Sequence, residues 1–380
     1  MPRSRRASAR PRTVLGLNSG TSINSLDWAV VRFSGLRPDV KLVDAGEIRF
    51  PAALQKALRK CAASDRVLKA GLSCLDAEFG TWLGRQVVKI RHRHARSTPI
   101  DFVASHGQTV GHWPAGRYGA SLQIGDPDRI AKMSGLPVIS HFRQGDMAVG
   151  GEGAPLTPAV NRILFARPDR QIAILNLGGM ANLTIVLPAT SRVPVKGTDC
   201  GPGNMLLDLA AVRFLRRAYD PGGRLAVTGE VSHPLLATAQ RHPWFHRKLP
   251  ASCGREEFGH AFFRAVVAKH SRVSGRDVAA TLAHLTAWSV ARALGRLGGR
   301  PKIFYVCGGG VHNRRVVSEL EAVLAPVPVR STADLGFAPD TLEAVSFALL
   351  GWLFASGRPL DLRLATGARR PAILGRLSLP

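Results

Sequence analysis

The chain has 380 residues, more than one compact domain of about 150 residues holds, so we expect two lobes. That length excludes a disulfide-stapled miniprotein, and a composition of 45% hydrophobic and 21% charged residues excludes an intrinsically disordered protein. The formal net charge is +26, so anionic partners are the first to consider.

The positive charge does not have the distribution that nucleic-acid binding favours. Clustered cations gain affinity by releasing phosphate counterions, but here the arginines are spread through nearly every segment and concentrate only in residues 1–12 and 91–96. The chain has three tyrosines, so aromatic rings that stack on exposed bases are poorly supplied. We therefore expect small anionic substrates rather than nucleic acid as partners.

The cysteines and the N-terminal residues favour a cytoplasmic protein. Five cysteines are scattered without a C-x-x-C pair, which indicates neither a disulfide framework nor a zinc site and favours reduced thiols. The longest apolar run, 344–355, falls short of the ~20 residues that a bilayer-spanning helix needs, so we expect no membrane span. Residues 1–12 lack the apolar stretch of a secretory signal and are expected to form a disordered basic tail.

Beyond the tail, strand-like and helix-like stretches alternate, which is typical of an α/β protein. Apolar runs at 13–18 and 26–33 flank a polar turn and predict a β-hairpin. The next stretches predict a long helical region, a short buried strand, part of a helix and a further strand, at 54–93, 102–105, 130–133 and 137–139.

The pattern then restarts in the second half of the chain. Strands at 171–177 and 181–186 are predicted around a Gly-Gly turn, and a helix follows at 205–216. Further predicted elements are a helix, a strand leading into three glycines and a last helix, at 278–288, 303–306 and 341–354. Since the glycine-turn hairpin recurs roughly 160 residues later, we expect a duplicated nucleotide-binding fold with lobes at 13–160 and 161–380 and a cleft between them.

Three glycine turns are candidates for contacts with a nucleotide. Residues 18–27 (NSGTSINSLD) and 176–184 (NLGGMANLT) place small residues around glycine, and such turns let backbone N–H groups bind phosphate. Either turn alone fits an ordinary polar hairpin better. The glycine run at 307–313 (CGGGVHN) offers bare backbone to a base or ribose, or forms only a tight turn.

Two carboxylates are candidates for catalysis. Asp199, in the segment TDCGPGN, is expected at a strand end beside a rigid turn, which would fix the carboxylate as a general base requires. An Asx turn, in which the aspartate caps its own backbone, is the alternative. Glu343 follows Asp340 and Thr341 in a pattern that also fits a capping box at the start of a helix.

Polar side chains that suit a sugar follow a short predicted strand. His106, Gln108 and Thr109 offer an imidazole, an amide and a hydroxyl to sugar hydroxyls or to an acyl amide. Asp126 is either a ligand or the cap of a helix that Pro127 starts. The residues alone leave these alternatives open.

Taken together, these segments resemble one family, the anhydro-N-acetylmuramic acid kinases of bacterial cell-wall recycling, within the actin and hexokinase superfamily. The likeness spans nearly the whole chain after Arg12. The segments that carry it, besides the first glycine turn and the helix around Glu343, are SHGQTVGHWP at 105–114, LQIGDPDRIA at 122–131, FRQGDMAVGGEGAPLTP at 142–158, LNLGGMANLT at 175–184, TDCGPGNMLLD at 198–208, VCGGGVHN at 306–313 and TGARRPAILG at 366–375.

The resemblance implies a two-lobed actin/hexokinase-like fold with duplicated ribonuclease H-like domains, and a kinase that uses ATP and magnesium on 1,6-anhydro-N-acetylmuramic acid. Asp199 matches the catalytic base, which deprotonates a water that attacks the anomeric carbon, while the released 6-oxygen takes the γ-phosphoryl group. Glu343 matches an acidic residue near the sugar. The sequence leaves the oligomeric state open, with a homodimer as one option, and it identifies no metal ligand.

The resemblance further implies two sets of binding residues. Those for the nucleotide are Gly20, Thr21, Ser22, Asn24, Asp27, Gly178, Gly179, Asn182, Gly308, Gly309, Gly310 and Asn313. Those for the sugar are His106, Gln108, Thr109, Gln123, Asp126, Arg143 and Asp146.

The chain departs from the family pattern at three places. The first turn usually reads S-G-T-S-x-D-G-x-D, whereas Asn24 and Ser25 stand here in place of Asp-Gly, so we expect weaker binding of magnesium. Asn18 replaces an apolar residue and is expected to offer its carbonyl oxygen toward the metal, and His141 replaces an acidic residue. These departures leave open a kinase for another anhydro or amino sugar, and a catalytically silent paralogue that binds a sugar or nucleotide.

Overall fold

The first hairpin forms because two apolar runs flank a polar turn. β1 (Arg12–Ser19) pairs antiparallel with β2 (Ser25–Ser34), and Leu15 lies opposite Val30 at the buried centre of the pair. The predicted hairpin is confirmed.

The computed structural model describes residues 11–20, 23–35, 39–64, 66–191, 193 and 195–380. Residues 1–10 of the predicted basic tail lie outside the described residues, and so do the predicted nucleotide contacts Thr21 and Ser22. Arg12, the last residue of the predicted tail, is the first residue of β1.

The remaining elements follow in chain order. The strands are β3 (Asp39–Arg49), β4 (Phe102–Trp113), β5 (Ala120–Ile124), β6 (Val138–Ser140), β7 (Ile172–Leu177), β8 (Met180–Val186), β9 (Lys196–Pro202), β10 (Ile303–Cys307), β11 (Val329–Ser331) and β12 (Arg376–Ser378). The helices are α1 (Ala52–Ala62), α2 (Lys69–His94), α3 (Pro127–Ser134), α4 (Phe142–Met147), α5 (Thr157–Phe165), α6 (Met205–Leu215), α7 (Arg224–Val227), α8 (His233–Gln240), α9 (Arg255–Phe258), α10 (His260–Ala268), α11 (Gly275–Arg296), α12 (Arg314–Leu324) and α13 (Leu342–Ala355). In the described part of the chain, no helix combines the length and the apolar character needed to cross a membrane.

Two units share one strand order. The sheet of the first unit runs β12-β6-β4-β1-β2-β3, with β5 paired to β4, and the sheet of the second runs β11-β10-β7-β8-β9. In each unit the first strand has an antiparallel hairpin partner on one side and a parallel strand on the other. This repeated arrangement confirms the predicted α/β class and the duplication of a ribonuclease H-like domain.

The units are not continuous in the chain. The first contains the described part of Met1–Gly153 together with Thr341–Asp361 and Arg369–Pro380, and the second contains Ala154–Asp340 and Leu362–Ala368. Sequence patterns place everything after residue 160 in the second lobe, whereas α13 and β12 return to the first unit. The cleft between the lobes stays a prediction.

Two predicted elements of the first unit have different bounds in the structure, and one strand was not predicted. The helical region 54–93 is two helices, α1 and α2, because the chain leaves the helix after Ala63 and is extended at Leu68. β4 continues through the polar residues after Ser105 as far as Trp113. The whole of β3 is missing from the sequence prediction.

A close approach of backbone to backbone fixes α13 on the sheet. α13 is buried on nearly all sides, and a Cβ atom at Gly16 of β1 would overlap the carbonyl oxygen of Ala344. Only glycine leaves room there. The start of α13, which carries Glu343, therefore lies directly over β1.

Candidate active site

Asp199 lies within β9 of the second unit and is 7% exposed. Its Oδ1 accepts a hydrogen bond from Nδ2 of Asn182 at 2.9 Å, and its Oδ2 accepts one from the backbone N–H of Cys253 at 2.9 Å. Both donors come from distant parts of the chain, unlike the Asx-turn alternative. The carboxylate is thus held by both oxygens, as a fixed general base needs.

A hydroxyl group in turn holds Asn182. The side chain of Thr157, the first residue of α5, donates to Oδ1 of Asn182 at 3.2 Å. The register between β8 and β9 shifts between Ala181 and Asn182, which sets Asn182 opposite Asp199. Its predicted nucleotide contact stays a prediction, and its observed partner is the candidate base.

Two thiols adjoin Asp199, but they stay protonated. Burial first, and the Asp199 carboxylate second, raise the pKa of Cys200 and of Cys253 well above the usual thiol value. Desolvation raises the pKa of the Glu256 carboxyl, and the charges of Glu257 and Asp199 add to the rise. The thiols are therefore unsuited to act as a base at neutral pH.

The glycine turn after β7 packs on the start of α6. The carbonyl of Gly178 accepts from the N–H of Asn204, and the carbonyl of Gly179 accepts from the N–H groups of Gly203 and Met205. The amides at and just before the start of α6 are thereby satisfied within the protein. A phosphate near this turn would have to use other donors.

The glycine run after β10 lies against the end of β7. Gly308 has a positive φ of 79°, and a Cβ atom there would overlap Oδ1 of Asn176, while one at Gly310 would press on Leu177. No atom approaches the position that a side chain of Gly309 would take. The ends of the parallel strands β7 and β10 therefore present backbone without side chains, against which a base or ribose could pack.

Asn313, another predicted nucleotide contact, caps α12. Its Oδ1 accepts from the N–H groups of Arg315 at 3.1 Å and Val316 at 3.2 Å. This cap gives the residue a structural role. A nucleotide contact by Asn313 stays a prediction.

In the first unit, side chains of α1 form hydrogen bonds with the residues just before β2. Nε2 of Gln55 donates to the carbonyl of Ile23 at 2.8 Å, and Nη2 of Arg59 donates to Oδ1 of Asn24 at 2.7 Å. The carbonyl of Gly20 accepts from the N–H of Ile23 at 3.1 Å. The described residues on either side of 21–22 are therefore held by hydrogen bonds.

Glu343 pairs with a residue that sequence reasoning assigned to a metal. Nδ2 of Asn18, which is 3% exposed, donates to Oε2 of Glu343 at 2.7 Å. Glu343 is the second residue of α13, one position before the one that a capping box requires. Asp27, a predicted nucleotide contact, lies opposite Asn18 in the β1–β2 pair. The carboxylate oxygens of Asp27 and Glu343 are of the type that magnesium prefers as ligands.

The predicted sugar residues of β4 and β5 are linked by hydrogen bonds. Oε1 of Gln108 accepts from the hydroxyl of Ser19, and Nε2 of Gln123 donates to the Thr109 hydroxyl at 3.2 Å. Nε2 of Gln144, which the sequence did not single out, donates to Oε1 of Gln123 at 2.8 Å. The structure thus brings the three predicted residues into one polar cluster.

Arg143 connects two more predicted residues. Its Nε donates to Nε2 of the buried His106 at 2.9 Å, and its Nη1 donates to the carbonyl of Gly153 at 3.0 Å. Oδ2 of Asp146 accepts from the N–H of Gly153 at 2.9 Å. The ring of His106 stacks on Phe347 with centroids 4.5 Å apart. Phe347 was not predicted because nothing in the sequence connects it to β4.

The histidines beside Arg143 are neutral at physiological pH. Burial, and then the charge of Arg143, hold the pKa of His106 well below 6.5 and lower the pKa of His112 to about 4. The guanidinium of Arg143 therefore donates to a neutral imidazole. Such a cation favours an anionic substituent on a ligand.

The structure favours structural roles for two other residues. Oδ1 of Asp126 accepts from the N–H groups of Asp128 and Arg129, so Asp126 caps α3 as the alternative interpretation predicted. His141 adopts a left-handed φ of 59°, and its Nδ1 lies 2.7 Å from the Ser140 hydroxyl. A contact of Asp126 with sugar stays a prediction.

The low pKa of His112 predicts a loss of stability in acid. The unfolded chain takes up a proton below about pH 6.5, whereas folded His112 does not until pH falls to about 4, so stability is lost across that window. From pH 7.5 to pH 5, the free energy of unfolding should fall by about 2 kcal/mol through this group, and His106 acts in the same direction. Urea unfolding of the His112→Gln variant should show a weaker pH dependence than the unmodified protein. The exposed His92→Gln is the control, and equal pH dependence in all three proteins would refute this reading.

The described residues contain no magnesium site that is built from protein ligands alone. Among them, no group of three or more histidine, cysteine, aspartate or glutamate side chains could hold an ion. Magnesium that arrives with a nucleotide needs only one or two carboxylates, because phosphate and water supply its other ligands. The carboxylates of Asp27 and Glu343 have the oxygen chemistry that this mode of binding requires.

Comparisons with known proteins identify the family. Residues 12–379 match the family model described as anhydro-N-acetylmuramic acid kinase. The anhydro-N-acetylmuramic acid kinase of Salinibacter ruber is 38% identical over 384 residues, with 97% of this chain and 96% of that protein covered. That of Shewanella amazonensis is 37% identical over 366 residues, with 95% and 97% covered. Among solved structures, a ROK family glucokinase from Streptomyces griseus in complex with glucose and AMPPNP has a TM-score of 0.38 at 13% identity, covering 89% of this chain and 98% of that one. The resemblance of the motifs is thus confirmed, and the chain belongs to the anhydro-N-acetylmuramic acid kinase family.

Proposed function

We propose that this chain opens the 1,6-anhydro bridge of 1,6-anhydro-N-acetylmuramic acid and phosphorylates O6 at the expense of ATP. The products are N-acetylmuramic acid 6-phosphate and ADP, as peptidoglycan recycling requires. The observation that supports this most is the buried Asp199, held at both oxygens by Asn182 and Cys253, in a chain that matches the family from residue 12 to residue 379.

In the proposed reaction Asp199 is the general base. Its carboxylate takes a proton from a water molecule, whose oxygen bonds to the anomeric carbon while the bond from that carbon to O6 breaks. The freed O6 bonds to the γ-phosphorus as the bond to the β-phosphate oxygen breaks, and Asp199 later returns its proton to solvent. Phosphoryl transfer depends chiefly on positioning and charge stabilisation, so a rigid base suits it.

We assign the recognition of the sugar to the polar cluster of the first unit. The amides and hydroxyl of Gln108, Gln123 and Thr109 suit hydroxyl and acetamido groups. Arg143, a cation beside neutral His106, suits the carboxylate of the lactyl group. We therefore expect a preference for a muramic acid over a glucosamine derivative.

We assign contacts with the nucleotide to Gly20 in the first unit and, separately, to the bare backbone at Gly309 in the second. Magnesium, when bound with ATP, neutralises phosphate charge, and Asp27 and Glu343 are the residues that would hold it. The five cysteines carry free thiols, which fits our proposal of a reducing cytoplasmic location.

A panel of sugars tests the proposal. Purified protein with ATP and magnesium should release ADP with 1,6-anhydro-N-acetylmuramic acid and much less with 1,6-anhydro-N-acetylglucosamine, which lacks the lactyl carboxylate. Preference for the second sugar would favour a kinase of different specificity. Binding of sugar and ATP without any release of ADP would favour the silent paralogue.

A further inference from the structure

Three side chains of the second unit form a hydrogen-bonded series that ends on the candidate base. The hydroxyl of Thr157 donates to Oδ1 of Asn182 at 3.2 Å, and Nδ2 of Asn182 donates to Oδ1 of Asp199 at 2.9 Å. Asn182 is 9% exposed and Asp199 is 7% exposed, so little water competes for these bonds. The bond between Asn182 and Asp199 is buried and the bond between Thr157 and Asn182 is partly buried, so the loss of either should have a measurable cost.

The chemistry of the groups fixes the direction of the series. An ionised carboxylate only accepts hydrogen bonds, so the amide must present its NH₂ group to Asp199 and its carbonyl oxygen to Thr157. The Thr157 hydroxyl stabilises that orientation of the amide over the flipped one. The N–H of Cys253 holds the other oxygen of Asp199, so the plane of the carboxylate is set from both sides.

We propose that Asn182 is a positioning residue for Asp199, and that Thr157 sets the orientation of its amide. This inference rests on the proposed role of Asp199 as the base. It differs from the nucleotide contact that the resemblance implied for Asn182. A phosphate contact would make Asn182 matter for ATP binding, whereas a positioning role makes it matter for the proton transfer.

The charged and titratable groups around Asp199 set the sign of the expected pH effect. Cys200 on β9, Cys253 in the loop before α9 and Glu256 on α9 all interact electrostatically with the carboxylate. None of them donates a side-chain hydrogen bond that replaces Asn182 in the described contacts. Loss of the Asn182 donor should therefore disfavour the charged carboxylate and move its titration to higher pH.

Kinetics provide the first test. In Asn182→Ala, kcat should fall about 10- to 100-fold, since a hydrogen bond to a charged group is lost. The KM for ATP should stay within about twofold of the unmodified protein, and the acidic limb of the pH profile of kcat should move up by about one pH unit.

Thr157→Val should produce a smaller fall in kcat than Asn182→Ala. Thr157→Ser, which keeps the hydroxyl, should have the kcat of the unmodified protein. A KM for ATP that rises tenfold in Asn182→Ala with an unmoved acidic limb would overturn the proposal in favour of a phosphate contact.

The chain offers a matched control in the same two elements. Nδ2 of Asn161, on α5, donates to the hydroxyl of Thr184, on β8, at 2.9 Å, and both side chains are buried. Asn161→Ala removes a similar buried bond without touching Asp199. It should lower stability and leave the acidic limb unmoved. An equal displacement of that limb in Asn161→Ala would mean that any damage to this region produces the effect, which contradicts a specific positioning role.

A measurement without turnover separates this inference from the proposed function. The carboxyl ¹³C signal of Asp199, identified by its loss in Asp199→Asn, should titrate about one pH unit higher in Asn182→Ala than in the unmodified full-length protein. If the unmodified protein releases no ADP with any sugar, the proposed function fails while this titration still decides the positioning. An unchanged midpoint would overturn the inference.

Discussion

Replacing Asp199 by asparagine should lower kcat about 1,000-fold while the Kd values for ATP and sugar change by less than about threefold. A positioned general base contributes 100- to 10,000-fold to a reaction of this kind, and asparagine cannot accept the proton from water. The shape of the side chain is preserved, so the sugar and nucleotide should still bind. Steady-state kinetics and calorimetric titration of each ligand measure the two effects separately.

The same substitution carries a structural cost that must be measured. The amide NH₂ of an asparagine at 199 would face a donor, either the NH₂ of Asn182 or the N–H of Cys253. A buried pair of donors costs about 1 to 3 kcal/mol, so urea unfolding should accompany the kinetics. Asp169→Asn, at an exposed position of the same unit, is the control and should behave as the unmodified protein. Equal losses of binding and turnover would make Asp199 a structural residue.

Replacing Gly16 by alanine should destabilise the protein by about 3 kcal/mol. The added Cβ would overlap the carbonyl oxygen of Ala344 and press on the backbone N of Ala348, and neither backbone atom can move aside as a flexible side chain could. Gly16 and Asn18 lie two residues apart on the same face of β1, so a displaced α13 would also draw Glu343 away from Asn18. Both the urea midpoint and the sugar-dependent activity should fall.

Gly71→Ala separates this packing effect from a general effect of replacing glycine. Gly71 is exposed in the first turn of α2 with open space around the Cβ position, and alanine is favoured in helices by about 1 kcal/mol. Its unfolding midpoint should be equal to or slightly above that of the unmodified protein. If Gly16→Ala unfolds at the same urea concentration as Gly71→Ala, α13 does not pack on β1 as described.

Local patterns predicted the elements that carry strong apolar signals. The β1–β2 hairpin, β7, β8 and the strand and glycine run after residue 303 formed where expected, because apolar runs and glycine are direct local determinants. β3 was missed because an edge strand that is mostly half-buried shows no clean alternation of polar and apolar residues. β4 extends past Ser105 because Nε2 of His106 and Oε1 of Gln108 accept hydrogen bonds from partners elsewhere in the fold.

In the candidate site too, local motifs predicted some residues, while contacts between distant parts of the chain were missed. The sequence singled out Asp199, His106 and Arg143, since their types and motifs are typical of the family chemistry. It did not reveal the bond between Asn18 and Glu343, because these residues are 325 positions apart and only the packing of α13 brings them together. The pairing of Asn182 with Asp199 depends on a register shift in β8, which no propensity encodes.

The mass of the product tests the central claim most directly. Attack of water on the anomeric carbon, with transfer of the phosphoryl group to the released O6, adds one H₂O and one HPO₃ to 1,6-anhydro-N-acetylmuramic acid. The unmodified protein should yield that mass, and Asp199→Asn should yield almost none. A product that gains HPO₃ alone would retain the anhydro bridge and would contradict the role of Asp199 as the base that activates water.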